Sequence, residues 1–146
     1  MITREATPED VAAVAALLGE MRDSTVQPET ITAQFSMIVN DKNRTVLLIE
    51  DGGTVYGSAV ITLICKLPKI TAWIDEVIVS AAARGRGYGK ELMKACESWA
   101  WEHDAYAIEF TSRPSREAAN ALYQKMDYQL RETNVYQKKK DETWLA

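Results

Sequence analysis

Ile74-Asp75-Glu76-Val77-Ile78-Val79-Ser80-Ala81-Ala82-Ala83-Arg84-Gly85-Arg86-Gly87-Tyr88-Gly89-Lys90 is the stretch that decides the fold. It reads as a strand, a short turn, a glycine-rich loop and the start of a helix. Glycines at every second position put no side chains in a ligand's way. Their backbone N–H groups can converge on an anion, and the following helix adds its positive end. Arg84, Arg86 and Lys90 add charge, so the simplest ligand is a phosphate or pyrophosphate. Spacing narrows the choice. A Walker loop needs four residues between its glycines and Ser or Thr after Lys. Gly85 and Gly89 have three between them, and Glu91 follows Lys90. A Rossmann fingerprint needs G-x-G-x-x-G, and this loop is G-x-G-x-G. A flexible loop before a helix is the plain alternative.

Downstream of the loop, Leu92, Ala95, Cys96 and Trp99 mark one apolar helix face. Residues 106–110 read as a strand, and 115–126 as a helix with Ser115 as its cap. Tyr128 to Lys139 reads as strand or hairpin, with room for one more terminal strand. Upstream, 70–79 is a strand and Pro68-Lys69 breaks the one before it. Val55 to Ile64 is the return strand of a hairpin whose turn is Asp51-Gly52-Gly53 and whose first strand is 45–49. Pro28-Glu29 opens a helix with Ile31, Phe35 and Ile38 on one face. Thr7 can cap an earlier helix, with Pro8 at its first position and Val11, Val14, Leu18 and Met21 on its apolar face. Residues 1–6 form a short strand. The order βααβββαβαβ predicts an α/β domain with a mixed sheet and helices on both faces.

The chain has 146 residues and 16.4 kDa. That is the size of one domain, and no repeat or Pro/Gly-rich linker divides it, so 1–146 reads as a single domain. The net charge is −4, which argues against nucleic acid as a partner. No stretch approaches the ~18 apolar residues of a membrane span, and the start carries no signal peptide. A cytoplasmic location is the default. Cys65 and Cys96 are too few for a disulfide framework, and with the single His103 they do not suit a zinc site. No metal is expected.

The chain resembles the GCN5-related N-acetyltransferases (GNAT). Their signature is Arg or Gln, two residues, Gly, one residue, then Gly or Ala, after a strand ending in an apolar pair. Arg84-Gly85-Arg86-Gly87-Tyr88-Gly89 matches it. A second family motif, Ala to Tyr to Gly-Phe, falls on Ala118-Ala119-Asn120-Ala121-Leu122-Tyr123-Gln124-Lys125-Met126-Asp127-Tyr128. The resemblance implies a mostly antiparallel mixed sheet with one splayed parallel strand pair. It implies acetyl-CoA as co-substrate, with the pyrophosphate on residues Arg84 to Lys90. It also implies that the pantetheine arm pairs with the backbone of Val77, Ile78 and Val79, a form of β-augmentation. Three departures stand out. Asp127 replaces the usual Gly, Tyr128 replaces the usual Phe, and Arg116 stands where many relatives have an Asn that touches the cofactor. Asn120, one turn later, is a further candidate contact. Relatives commonly form homodimers, which nothing in this sequence marks.

Acetyl transfer to an amine requires a base for the amine, stabilisation of the oxyanion and a proton for the leaving thiolate. Tyr123 resembles the family's general acid. A phenol of pKa ~10 can protonate the thiolate of a thiol of pKa ~8.5. Some relatives carry a base carboxylate at the position of Asp75. Strict alternation puts Trp73, Asp75, Val77 and Val79 on one face and Ile74, Glu76 and Ile78 on the other, so Glu76 is the second candidate. Either acid can equally be solvated or structural. The base of relatives that acetylate ribosomal-protein N-termini would fall on Thr111, which cannot serve as one. Cys96, on an apolar helix face, suits direct transfer better than an acetyl-cysteine. The acceptor is an amine of unread identity. A non-catalytic acyl-CoA-binding or sensing module is the alternative.

Overall fold

The computed structural model describes residues 1–141. They fall into two compact units, one of residues 1–111 and one from Ser112 onward.

The first unit is built on a five-stranded sheet. Its strands are β1 (Ile2–Glu5), β2 (Arg44–Asp51), β3 (Thr54–Cys65), β4 (Ile70–Val79) and β5 (Ala107–Glu109), in sheet order β1-β2-β3-β4-β5. The first four run antiparallel to their neighbours, and β4 and β5 are parallel. This is the predicted mixed, mostly antiparallel sheet. The β2–β3 turn falls at Gly52-Gly53, with both residues at positive φ, as a two-residue hairpin of this twist requires.

Helices cover both faces. On one side lie α1 (Val11–Arg22) and α2 (Pro28–Val39). Val14, Leu17, Leu18 and Phe35 pack with Val46, Leu48 and Ile78 of the sheet into one core cluster. On the other side lies α3 (Tyr88–Glu102), where Leu92, Met93 and Cys96 are fully buried. Gly57 of β3 faces α3 so closely that a Cβ there would stand 2.8 Å from the Ile78 carbonyl oxygen and 3.5 Å from Leu92. Trp99 near the end of α3 donates to Glu5 at 3.2 Å, and His103 stacks on the Trp99 ring at 4.0 Å. Trp99 is buried, whereas Trp101, two residues on, is exposed.

The start of α1 keeps the expected cap position: Thr7 is the N-cap of a 3-10 turn that leads into the helix, with Pro8 at its start. Pro8–Asp10 form a 3-10 turn, and the carboxylate of Asp10 accepts the Thr7 N–H at 2.8 Å. Asp10 caps Thr7 because Arg4 holds it in place. The Arg4 guanidinium grips Asp10 through two bonds of 2.8 and 2.9 Å and donates to Glu50 at 3.1 Å. Three elements are stapled together by this contact. Arg4 pulls the Asp10 carboxyl down to about 2, about two units below its ordinary value, an upper bound near 2–3 kcal/mol. Screening around the partly exposed Arg4 reduces it to about 1–2 kcal/mol. A depressed carboxylate pKa stabilises above the unfolded value near ~3.9 and loses that contribution as pH falls towards the folded value. Asp10→Asn should therefore cost about 1–2 kcal/mol at pH 7. Denaturant titrations at pH 7 and pH 2.5 would show the variant's deficit shrinking in acid, and a constant deficit would refute the pairing.

The second unit contains α4 (Glu117–Lys125). Its cap position is Arg116 rather than the expected Ser115. The strand or hairpin expected over Tyr128–Lys139 does not form. Residues 129–141 are all exposed and carry no regular strand. Neither alternate set in this segment is consistently apolar, since Leu130 and Tyr136 share their set with Glu132, Asn134 and Lys138. A strand with no face to bury gains nothing from pairing. The further terminal strand anticipated after it falls outside the described residues. Among the described residues, no helix is long and apolar enough to cross a membrane.

Candidate active site

The site begins where β4 leaves its neighbours. Strand β5 pairs with β4 only at Thr71, Ala72 and Trp73. From Ile74 to Val79 that side of β4 has no β5 partner, so the parallel pair splays as anticipated. On its other side β4 bonds to β3, but the register jumps: Val60 faces Asp75, while Ser58 faces Ile78. One β3 residue, Ala59, thus spans two on β4, Glu76 and Val77. This is a β-bulge. Glu76 takes φ +52, an uncommon and costly conformation for a side-chain-bearing residue.

The bulge overturns strict alternation. Cross-strand partners share a face, so Asp75 with Val60 and Ile78 with Ser58 lie on the α1/α2 side. Val79 opposite Gly57 lies on the α3 side with Ile74. Asp75 and Ile78 share a face, whereas Asp75 and Val79 do not. Asp75 is exposed and accepts the Trp73 indole N–H at 3.0 Å. Glu76 is exposed beside it. Sequence reasoning passed over Trp73 as a partner for Asp75, because two-residue spacing on a strand is too common to signal a contact.

After Val79 the chain turns into the glycine-rich loop. Ser80 is buried; its N–H donates to the Tyr56 carbonyl at 2.7 Å and its hydroxyl to Glu20 at 3.1 Å. Ala81–Ala83 make one 3-10 turn. Gly85 and Gly87 then take φ +82 and +78, a region that glycine enters without strain. A Cβ on either would meet nothing within 4 Å, so the space above the loop is open. Gly87 is the N-cap of α3, and the N–H groups of Tyr88, Gly89 and Lys90 in its first turn lack intrahelical acceptors. Arg84, Arg86 and Lys90 are exposed around this turn. An exposed strand edge therefore leads into an anion cradle, which is the donor set that a neutral amide arm ending in a pyrophosphate calls for.

The second unit holds Arg116, Asn120 and Tyr123. Asn120 donates its side-chain amide to the Arg113 carbonyl at 2.9 Å, closing the entry into α4. Helix α4 ends in a Schellman motif. The N–H groups of Tyr128 and Asp127 return to the carbonyls of Tyr123 and Gln124, with Asp127 at φ +68. Asp127 thus fills the place of the expected glycine, and the turn survives. Tyr123 and Tyr128 meet edge to face at 6.3 Å. Burial pushes the Cys96 thiol up to about 12, which removes it as a nucleophile at neutral pH. Cys65 is exposed.

The sequence profile of the acetyltransferase (GNAT) family matches residues 11–128. The chain belongs to this family. No curated protein matches it. Among solved structures, this GNAT protein is similar to a Bacillus halodurans C-125 protein described as a transcriptional regulator, with TM-score 0.86 and 22% identity over 94% of this chain and 98% of that one. It is also similar to glucosamine-6-phosphate N-acetyltransferase from Arabidopsis thaliana, with TM-score 0.78 and 16% identity over 94% and 97%. A third is the aminoglycoside N-acetyltransferase AAC(6')-Iy, solved in complex with CoA, with TM-score 0.82 and 14% identity over 96% and 95%. At these identities the likeness is one of fold. With the family assigned, acyl transfer is the general chemistry this GNAT protein carries.

Proposed function

We propose that this protein transfers an acetyl group from acetyl-CoA to a primary amine, directly, within one N-acetyltransferase domain. One observation carries the reading. The run Ile74–Val79, paired with β3 but not with β5, is followed after five residues by a positive-φ glycine turn at a helix N-terminus. A strand edge followed by an anion cradle matches the succession of amides and pyrophosphate along CoA. Val77, Ile78 and Val79 hold the arm, and Arg84 to Lys90 hold the phosphates. Acetyl-CoA supplies the acetyl group as an activated thioester. A C–N bond forms and the C–S bond breaks. Asp75 takes the amine proton through water, and Tyr123 gives a proton to the departing sulfur.

A cleft of about 570 Å³ lies along α1 and the loop after it, lined by residues that include Gly19, Glu20, Asp23 and Val26. Two carboxylates on this wall favour a cationic amine acceptor. The test is release of free thiol from acetyl-CoA across a panel of amino acids, polyamines, aminoglycosides and peptides. Turnover with at least one amine supports the reading. Tight CoA binding with no turnover on any of them would favour the non-catalytic acyl-CoA module. No stabilisation by CoA in a thermal shift would refute both.

Asp75→Asn tests the base. It should lower kcat/KM by about 10²-fold at neutral pH. An unchanged kcat/KM would transfer the role to Glu76 or to solvent.

A further inference from the structure

The glycine-rich turn is tied to the tip of the β2–β3 hairpin. Tyr88, the first residue of α3, turns its side chain inward and is buried. Its ring lies 5.7 Å from that of Tyr56 on β3, and its hydroxyl donates to Asp51 at 2.8 Å. Asp51 is the last residue of β2. Arg86, set between the two positive-φ glycines, lies 5.9 Å from the Tyr56 ring centroid. Its charge acts on both Asp51 and Tyr88. The Tyr88 bond is the main cause that holds the Asp51 carboxyl below its ordinary range; the N-terminal ammonium of Met1, 3.2 Å from the same carboxylate, comes next, and Arg86 adds the smallest contribution in that direction. The same bond raises the Tyr88 phenol, while Arg86 opposes that rise. Arg84 and Lys90 are exposed and enter no ion pair among the described residues.

We propose that Asp51 is a positioning residue for phosphate binding: through Tyr88 and Arg86 it fixes the Arg84–Lys90 turn, and Arg84 and Lys90 supply the net attraction. The proposal rests on the reading that this turn holds the phosphates of CoA. Arg86 then stands near a carboxylate before any ligand arrives. Its contribution is shape, since it and Tyr88 bracket Gly87, whose φ of +78 aims the first turn of α3. Removing the Asp51 carboxyl would take the acceptor from Tyr88 and the nearby negative charge from Arg86 at once.

The experiment measures CoA affinity by calorimetry and amide hydrogen exchange over residues 85–90 of the ligand-free protein. Asp51→Ala, Tyr88→Phe and the double variant are compared with wild type. Each single change is expected to weaken CoA binding by about 3- to 10-fold, the scale of one hydrogen bond. The double variant should be no weaker than the worse single one, because both cut one path. Exchange over 85–90 should accelerate in all three. For Asp51→Ala, KM for acetyl-CoA should rise while kcat holds. Arg84→Gln and Lys90→Gln should each cost about 10-fold or more in affinity and Arg86→Gln clearly less. Unchanged exchange and affinity in Asp51→Ala, or additive losses in the double variant, would overturn the proposal. Faster exchange in a protein whose wild type fails to bind CoA would uphold the positioning and overturn the cofactor reading instead.

Discussion

Tyr123→Phe is expected to lower kcat by about 10²- to 10³-fold while KM for acetyl-CoA moves by less than about twofold. The substitution removes the phenolic oxygen and keeps the ring. The Tyr123 backbone carbonyl, which caps α4 by accepting the Tyr128 N–H at 3.0 Å, is untouched. The ring remains to meet Tyr128 edge to face. A fall in turnover with an unchanged melting temperature would therefore report the phenolic proton. The deficit should also narrow above pH ~8.5, where a thiolate is stable in solution and its departure needs no proton. A kcat within about threefold of wild type at pH 7 would remove the general acid from Tyr123. A deficit that does not narrow with pH would mean that the phenol binds rather than protonates.

The elements legible in the sequence are those whose signal is local. The hairpin at Gly52-Gly53 demands a positive φ that glycine supplies. The apolar spacing of α1, α2 and α3 repeats with the helix period. The two motifs carry backbone geometry in their residue types, and even Asp127 keeps the left-handed turn that glycine normally makes. What was not legible depends on partners. The bulge at Glu76 and Val77 appears only once β4 is laid against β3, since nothing about Glu predicts φ +52. That single residue moves Ile78 to the face of Asp75 and Val79 to the face of Ile74. The strand expected over 128–139 failed for the complementary reason. Branched and aromatic residues such as Val135 and Tyr136 suit a strand, but the segment offers no apolar face. Asp51 was readable as a turn residue and not as the acceptor for Tyr88, because 37 residues separate the two.

Gly87→Val should weaken CoA binding by about 100-fold or more while lowering the melting temperature by only a few degrees. The cause is conformational. A Cβ at Gly87 would meet nothing within 4 Å, so the protein itself offers no obstacle to a side chain. The φ of +78 is the obstacle. A left-handed conformation costs an ordinary residue about 1–2 kcal/mol, and β-branching restricts it further. The chain can escape that strain by rotating the Gly87 peptide units. Such a rotation turns the first N–H groups of α3 away from their common focus, and the cradle loses its donors. Gly87→Asn separates this account from simple crowding. Asn is nearly as large as Val but tolerates the left-handed region, so it should keep CoA binding within about tenfold of wild type. Crowding of the ligand by any side chain predicts equal damage from both. Loss of affinity in Gly87→Asn as severe as in Gly87→Val would show that the open space above the turn, rather than its backbone shape, is what the phosphates require.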